Sequence, residues 1–213
     1  ILITQTPAGS DRVGIGVGGL DGPNPTTTNV TGTLVQRNKV HDIVNEKVSS
    51  ALGIVLAGTG TPSGNLVVNN FIYNVRANGT GADMGIGIDV AAGNGDSILY
   101  NSISMTGDID PSGATTATQS GSGIRIVSAT PSNLTMRNNA IYVDLTSNTA
   151  TLKHYAIVAP SAAYAWGTGS SNYNDYGTNT SNAQMVLGGI GTTVPYTGVA
   201  TLASWQTQFT PNQ

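Results

Sequence analysis

Apolar side chains along this chain recur in two kinds of short segment that alternate in a fixed order. The first kind places a large apolar residue two positions after an asparagine, at successive intervals of 32, 31, 38 and 35 residues. These asparagines are Asn38, Asn70, Asn101, Asn139 and Asn174, followed by Val40, Ile72, Ile103, Ile141 and Tyr176. The second kind, a small residue before an apolar strand, occurs as Gly53-Ile-Val-Leu, Gly85-Ile-Gly-Ile, Gly123-Ile-Arg-Ile and Ala156-Ile-Val-Ala. Such spacing is typical of repeat architectures.

The repeated unit has the pattern of a strand rather than that of a helix. Residues 66–73 place apolar side chains at every second position, as a half-buried strand requires. We therefore predict an all-β fold, a right-handed parallel β-helix (solenoid) with coils of about 31–38 residues. Residues 107–122 add Gly, Ser and Thr to the third coil, and we predict one long loop insertion there.

The repeated asparagine has a physical role in such a fold. Consecutive turns of a parallel stack lie about 4.8 Å apart, so an asparagine at the same bend can donate to the next asparagine and accept from the previous one. We predict this ladder for Asn38, Asn70, Asn101, Asn139 and Asn174, with a left-handed backbone at the bend. The repeated glycine is expected at a tight corner.

The chain divides into three predicted parts. Residues 1–32 are irregular, with a partial first coil, and residues 33–180 hold the β-helix repeats. Residues 181–213 form a C-terminal loop and a short capping helix, in which Leu202, Trp205 and Phe209 share one face and Thr201 is the N-cap. Because the N-terminal end lacks such a cap, we expect residues 1–33 to pack against further protein, from the same chain or a neighbouring subunit.

Composition excludes several classes of function. Charged residues make up 9% of the 213 residues, against about 25% in an ordinary domain. The net charge is −3 and the basic residues are scattered, so nucleic acid is not a predicted partner. No apolar run is long enough to predict a membrane span. The chain has no cysteine, which excludes disulfides and thiolate metal sites.

Several segments resemble a known family. Asn65-Leu-Val-Val-Asn-Asn-Phe-Ile-Tyr73, Ser97-Ile-Leu-Tyr-Asn-Ser-Ile103 and residues 133–142 resemble right-handed parallel β-helix repeats of the pectate-lyase-like superfamily. Ser171-Asn-Tyr-Asn-Asp-Tyr176 and Thr201-Leu-Ala-Ser-Trp-Gln206 resemble phrases of large secreted bacterial surface proteins, especially those of Bacteroidota that use type IX secretion. The resemblance covers about residues 33–206. It implies an extracellular or cell-surface location and a segment of a longer protein.

The resemblance also implies a check for catalytic motifs, since enzymes of the superfamily act on acidic polysaccharides. Only Gly123-Ile-Arg-Ile-Val resembles one of their motifs. A lyase would need a carboxylate cluster for calcium and a basic residue, and Asp89 and Arg125 are the candidates. If Gly85 and Gly123 occupy equivalent positions in neighbouring turns, Asp89 lies two positions further along its strand than Arg125 does along its own. A surface ion pair between turns is the simpler interpretation.

The candidate metal ligands are few. Asp108 and Asp110 have the spacing that begins a calcium loop, but the later ligands are missing. A solvated loop is the alternative, and calcium binding there stays open. His41 and Asp42 form a polar pair, and His154, the other histidine, lies in a different coil. Zinc is therefore not predicted, and neither is any cofactor.

Outward aromatic residues give the remaining hint of function. Alternation directs Phe71, Tyr73 and Tyr142 away from the core. Such rings can stack on sugars, but they are also ordinary strand residues. We expect a non-catalytic structural or adhesive segment of a secreted bacterial cell-surface protein. The alternative is a carbohydrate-binding or polysaccharide-degrading β-helix. An enzymatic role therefore stays undecided, and a role without catalysis is favoured.

Overall fold

The structure is a computed structural model that describes residues 11–18, 29–46, 49–79, 83–111 and 117–209. The chain enters through β1 (Arg12–Val17) and then repeats groups of three strands. The first groups are β2 (Leu34–Gln36), β3 (Lys39–Asn45), β4 (Ala51–Leu56); β5 (Leu66–Val68), β6 (Phe71–Ala77), β7 (Gly85–Val90); and β8 (Ser97–Leu99), β9 (Ser102–Asp108), β10 (Ser122–Ile126). The remaining elements are β11 (Leu134–Arg137), β12 (Ala140–Thr146), β13 (His154–Ala159); β14 (Trp166–Asn172), β15 (Asp175–Thr178), β16 (Met185–Ile190); β17 (Thr197–Val199) and α1 (Leu202–Gln208).

Each strand from β1 to β13 pairs in parallel with the strand three places further along the chain. This pairing produces three sheets, which we number after the first strand in each. Sheet 1 holds β1, β4, β7, β10, β13 and β16, with β17 added antiparallel. Sheet 2 holds β2, β5, β8, β11 and β14, and sheet 3 holds β3, β6, β9, β12 and β15. The chain is therefore a parallel β-solenoid of about four turns, and the predicted fold class is confirmed.

The interior contains columns of equivalent side chains. Val40 pairs with Ile72, Ile72 with Ile103 and Ile103 with Ile141, and each of these side chains is at most 2% exposed. Tyr176 follows in register and packs against the same core. The apolar residue two positions after each asparagine thus fills the interior in every turn.

The repeated small residue lies in the middle of sheet 1 and not at a corner, which corrects the sequence prediction. The strand register stacks Gly53 on Gly87, Gly87 on Gly123 and Gly123 on Ala156. A Cβ atom on Gly87 would lie 2.5 Å from the carbonyl oxygen of Gly123 and 2.8 Å from Cγ2 of Ile103. Glycine is needed here because the isoleucine column of sheet 3 packs directly against this backbone.

The C-terminal end of the solenoid is covered by α1. Thr201 is its N-cap and accepts a hydrogen bond from the Ser204 amide, as predicted. Trp205 and Phe209 are buried, and Phe209 packs edge-on against Trp166 of the last turn. Leu202 is 43% exposed, so only two of the three predicted apolar positions face the core. No helix of the described residues is long and apolar enough to cross a membrane.

The structure describes residues 11–18 and 29–33 of the N-terminal segment. Residues 1–10 and 19–28 lie outside the described residues. Within the predicted irregular part, β1 forms a strand of sheet 1 and pairs with β4. The predicted packing of residues 1–33 against further protein stays a prediction.

The glycine column is testable by replacing Gly87 with alanine. The new Cβ would clash with backbone and with Ile103, so we expect a loss of about 1–3 kcal/mol in the free energy of unfolding, measured by urea denaturation. The control is Gly198→Ala on β17, where the nearest atom to the new Cβ would be Cγ1 of Val186 at 3.3 Å. Equal stability of the two variants would contradict the assigned packing.

Candidate functional site

The repeated asparagines form a continuous hydrogen-bonded ladder at the corner between sheets 2 and 3. The side-chain amide of each asparagine donates to Oδ1 of the next, at 3.0, 2.9, 3.0 and 2.8 Å along Asn38, Asn70, Asn101, Asn139 and Asn174. The backbone N–H of each of the first four donates to the same oxygen, at 2.9–3.1 Å. Each side-chain oxygen from Asn70 onward therefore accepts two hydrogen bonds from the preceding turn.

The second amide hydrogen of the ladder residues is also used. Asn70, Asn101 and Asn139 donate to the backbone carbonyls of Val35, Val67 and Ile98 at 2.9–3.0 Å. These three asparagines are only 1–2% exposed. Buried polar groups are costly unless they are hydrogen-bonded, and here donors and acceptors are matched turn by turn.

The left-handed backbone at this corner belongs to the residue before each ladder asparagine, which corrects the sequence prediction. The φ angles at these positions are 55–56° in every turn. Their side chains point outward and form what we call the corner ridge: Arg37, Asn69, Tyr100, Asn138 and Tyr173. Asparagine tolerates this conformation, whereas other non-glycine residues adopt it at a cost of about 1 kcal/mol.

A shallow groove of about 490 Å³ runs beside the N-terminal half of the corner ridge. The described residues that line it supply ladder backbone, two cationic side chains and two aromatic rings, with no carboxylate among them: Arg37, Asn38, Lys39, Asn69, Asn70, Phe71, Tyr100 and Ser102. Phe71 is 45% exposed and Tyr100 is 56% exposed. The groove thus offers apolar ring surface next to positive charge.

The predicted sugar-facing aromatic residues do not form one row. Phe71 and Tyr73 contact each other with ring centroids 4.9 Å apart, and Tyr73 also stacks on His41. Tyr142 is in the same column as Tyr73, but Ser104 of the turn between separates them. Sequence reasoning missed Tyr100 and Tyr173; their position directly before a ladder asparagine is the signal that could have found them.

A polar network crosses the outer surface of sheet 3 beside the groove. His41 contacts the Asp42 carboxylate at 2.7 Å, and the side chain of Asn74 in the next turn donates to the same carboxylate. The Asn74 side chain accepts from Arg76, which also donates to the carbonyl oxygen of Asp108. The hydrogen bonds from His41 and Asn74 lower the pKa of Asp42. This network links three turns and orients His41 against Tyr73.

Asp89 and Arg125 form a buried ion pair between adjacent strands of sheet 1. Two hydrogen bonds of 2.8 and 3.0 Å join the guanidinium to the carboxylate, and Asp89 is fully buried. Burial is the largest single effect and lowers the pKa of Arg125, but the charge and hydrogen bonds of Asp89, together with a smaller effect of Tyr196, leave that pKa above its usual value. The predicted offset and surface position are wrong, because Gly123 stacks on Gly87 and not on Gly85.

The inserted loop is anchored by Asp110, whose carboxylate is fully buried. It accepts hydrogen bonds from the backbone of Ala117 at 3.1 Å and of Asn148 at 2.8 Å. The alternative of a solvated loop is therefore wrong for Asp110, which ties the insertion to the following turn. The described residues contain no group of three or more side chains of the types that ligate metals.

His154 is buried behind the same insertion. Its Nδ1 accepts a hydrogen bond from the Gly121 backbone at 2.9 Å, and its Nε2 is buried with no partner among the described residues. Burial lowers the pKa of His154 to about 4, against a smaller opposing effect of Asp110. His154 is therefore neutral near pH 7 and helps to hold the loop in place.

No protein-family model, no curated protein and no solved structure matches the chain.

The ladder is testable with Asn101→Ala. This change leaves the backbone and side-chain donors of Asn70 without their acceptor, so we expect a loss of about 1–3 kcal/mol in the free energy of unfolding. Asn38→Ala is the control, because Asn38 is only partly buried at the first rung and water can replace its contacts. An Asn101→Ala loss no larger than that of Asn38→Ala would contradict the ladder's role.

His154 makes stability depend on pH. Its pKa is about 4 in the folded protein and about 6.5 in an unfolded chain, so between these values the unfolded chain binds more protons. We expect the free energy of unfolding to fall as the pH falls from 6.5 to 4, by roughly 3 kcal/mol from this group. Urea denaturation of the protein and of His154→Gln measures the difference. Parallel pH curves for the two would contradict the assignment.

Proposed function

We propose that this chain is a non-catalytic, structural and adhesive segment of a secreted bacterial cell-surface protein, and that it holds polysaccharide in the groove beside the corner ridge. The observation that carries the binding role is the groove lining, which joins Phe71 and Tyr100 to Arg37 and Lys39. Lys39 also lies over the Tyr73 ring, with Nζ 5.4 Å from the centroid. Ring surface and positive charge are thus adjacent on one rigid corner.

The chemistry of the groove favours a sugar that carries a carboxylate. The C–H face of a pyranose ring packs against an aromatic ring in the way that other apolar groups do, and Phe71 and Tyr100 offer exposed rings. Arginine and lysine pair with carboxylates through charge-assisted hydrogen bonds. Because the described residues that line the groove include Arg37 and Lys39 and no carboxylate, an acidic sugar meets positive charge there.

The structural role is supported by the way in which the buried ionisable groups are used. Hydrogen bonds join Asp89 to Arg125 in the adjacent turn. The Asp110 carboxylate accepts hydrogen bonds from the backbone of its own loop and of the next turn. These groups hold neighbouring turns together, and their hydrogen-bonding capacity is engaged. No contact of Asp89 or Arg125 favours a role as catalytic base, so the polysaccharide-degrading alternative gains no support from them.

The proposed location of the protein is the bacterial cell surface, where it contacts further protein. The cell-surface location is supported by the resemblance of residues 171–176 and 201–206 to phrases of secreted bacterial surface proteins. An extended solenoid suits a spacer that displays a binding surface. The partner expected at the N-terminal end is further protein of the same chain or of a neighbouring subunit.

The test is isothermal titration calorimetry of the purified chain with a galacturonate hexamer. We expect binding that weakens with added salt, because surface charges are screened. Phe71→Ser should lower the affinity about threefold to tenfold through loss of the ring contact. Tyr142→Ser is the matched control, since Tyr142 is 43% exposed on the same sheet but outside the groove lining. Absence of hexamer binding, or equal losses in both variants, would refute the proposed site.

A further inference from the structure

The corner ridge carries side chains that its backbone does not favour. All five of its positions have φ near 55°, a conformation that asparagine tolerates and that arginine and tyrosine adopt at a cost. Asn69 and Asn138 suit it, whereas Tyr100 and Tyr173 do not. Tyr173 is 74% exposed and Tyr100 is 56% exposed, so burial of their rings does not offset this cost. A role for the exposed rings themselves accounts for tyrosine at these two positions.

The spacing of these side chains is regular. The first four ridge residues donate their backbone N–H to the next turn, as Arg37 does to Val68 and Tyr100 to Arg137. The Tyr173 N–H instead donates to the side chain of Asn172 at 2.8 Å, so hydrogen bonds fix the backbone at every ridge position. Two turns, roughly 9.6 Å, separate Arg37 from Tyr100, and the same distance separates Tyr100 from Tyr173. That distance is close to the length of two linked pyranose rings in an extended chain. A linear glycan lying along the solenoid axis would meet one of these side chains at every second ring.

A second hollow lies at the far end of the ridge. It has a volume of about 250 Å³ and is lined by Tyr173, Asn172, Leu202 and Gln206, among others. Leu202 is the apolar residue of α1 that turns away from the core and is 43% exposed. The exposed Leu202 side chain supplies apolar surface to this hollow. Asp175, which is exposed, follows directly after the lining residue Asn174.

We infer that the corner ridge is the track of an extended polysaccharide chain, which occupies the groove at Arg37 and reaches a second subsite at Tyr173. This inference rests on the proposed function and adds the direction and length of the ligand. The track covers four turns, roughly 19 Å, so a disaccharide fills only the first groove while a hexamer reaches Tyr173. The Asp175 carboxylate beside the second subsite weakens binding of an acidic sugar there.

The experiment compares a galacturonate dimer with a galacturonate hexamer by calorimetry on the full chain. We expect the hexamer to bind at least tenfold more tightly than the dimer. Tyr173→Asn should lower hexamer affinity about threefold to tenfold and leave dimer affinity unchanged. Its thermal unfolding midpoint should be equal to or above that of the unaltered chain, because asparagine suits the left-handed backbone. A lower midpoint would show that Tyr173 serves stability instead.

Asp175→Asn gives a test that misfolding cannot imitate, because it predicts a gain. Removing the carboxylate should raise hexamer affinity about twofold to fivefold and leave dimer affinity unchanged. Asp144→Asn, on the same sheet outside both lining sets, is the control and should change neither. Equal affinities for the dimer and the hexamer, unchanged in Tyr173→Asn and Asp175→Asn, would refute the extended binding along the ridge. Binding in the first groove would then remain supported. If neither oligomer binds, the proposed function itself fails.

Discussion

The asparagine ladder fixes the register between the turns of this solenoid. Each ladder oxygen from Asn70 onward accepts two donors from the previous turn, so a turn cannot slip by one residue without leaving buried amides unpaired. That fixed register aligns the isoleucine column of sheet 3, which in turn requires glycine in the facing strands of sheet 1. The ladder also sets the backbone of the residue before it, and thereby the direction of the corner ridge.

The low charge of the chain has a structural counterpart. With 9% charged residues, cohesion between turns rests mainly on neutral amides, and several of the charged side chains serve the same purpose. Asp89 and Arg125 join two turns of sheet 1, and Asp110 joins the insertion to the turn after it. A rigid outer corner follows, on which exposed side chains keep fixed distances from one another. Such rigidity favours binding of an extended polymer, because little ordering is required of the protein.

Much of the fold could be predicted because Asn101 and its equivalents occur once in every turn, each two positions before a buried apolar residue. The register of sheet 1 could not, since Gly85 and Gly87 both precede isoleucine and only packing against Ile103 selects Gly87. That ambiguity misplaced the Asp89–Arg125 pair. The ridge was missed because left-handed backbone was assigned to the asparagine itself, whereas it belongs to Tyr100 and Tyr173. The buried position of Asp110 is not predictable from the sequence, because its partner Asn148 is distant along the chain.

In the proposed function, one corner of the solenoid both holds the turns together and presents the surface for the ligand. This dual role is tested by an aromatic-proton NMR titration of the chain with a galacturonate hexamer, with tyrosine and phenylalanine signals assigned. We expect shifts at Phe71, Tyr100 and Tyr173 and none at Tyr155 and Tyr196, which are buried against the outside of sheet 1. Shifts confined to Tyr155 and Tyr196, or an unchanged spectrum at saturating hexamer, would contradict this dual role.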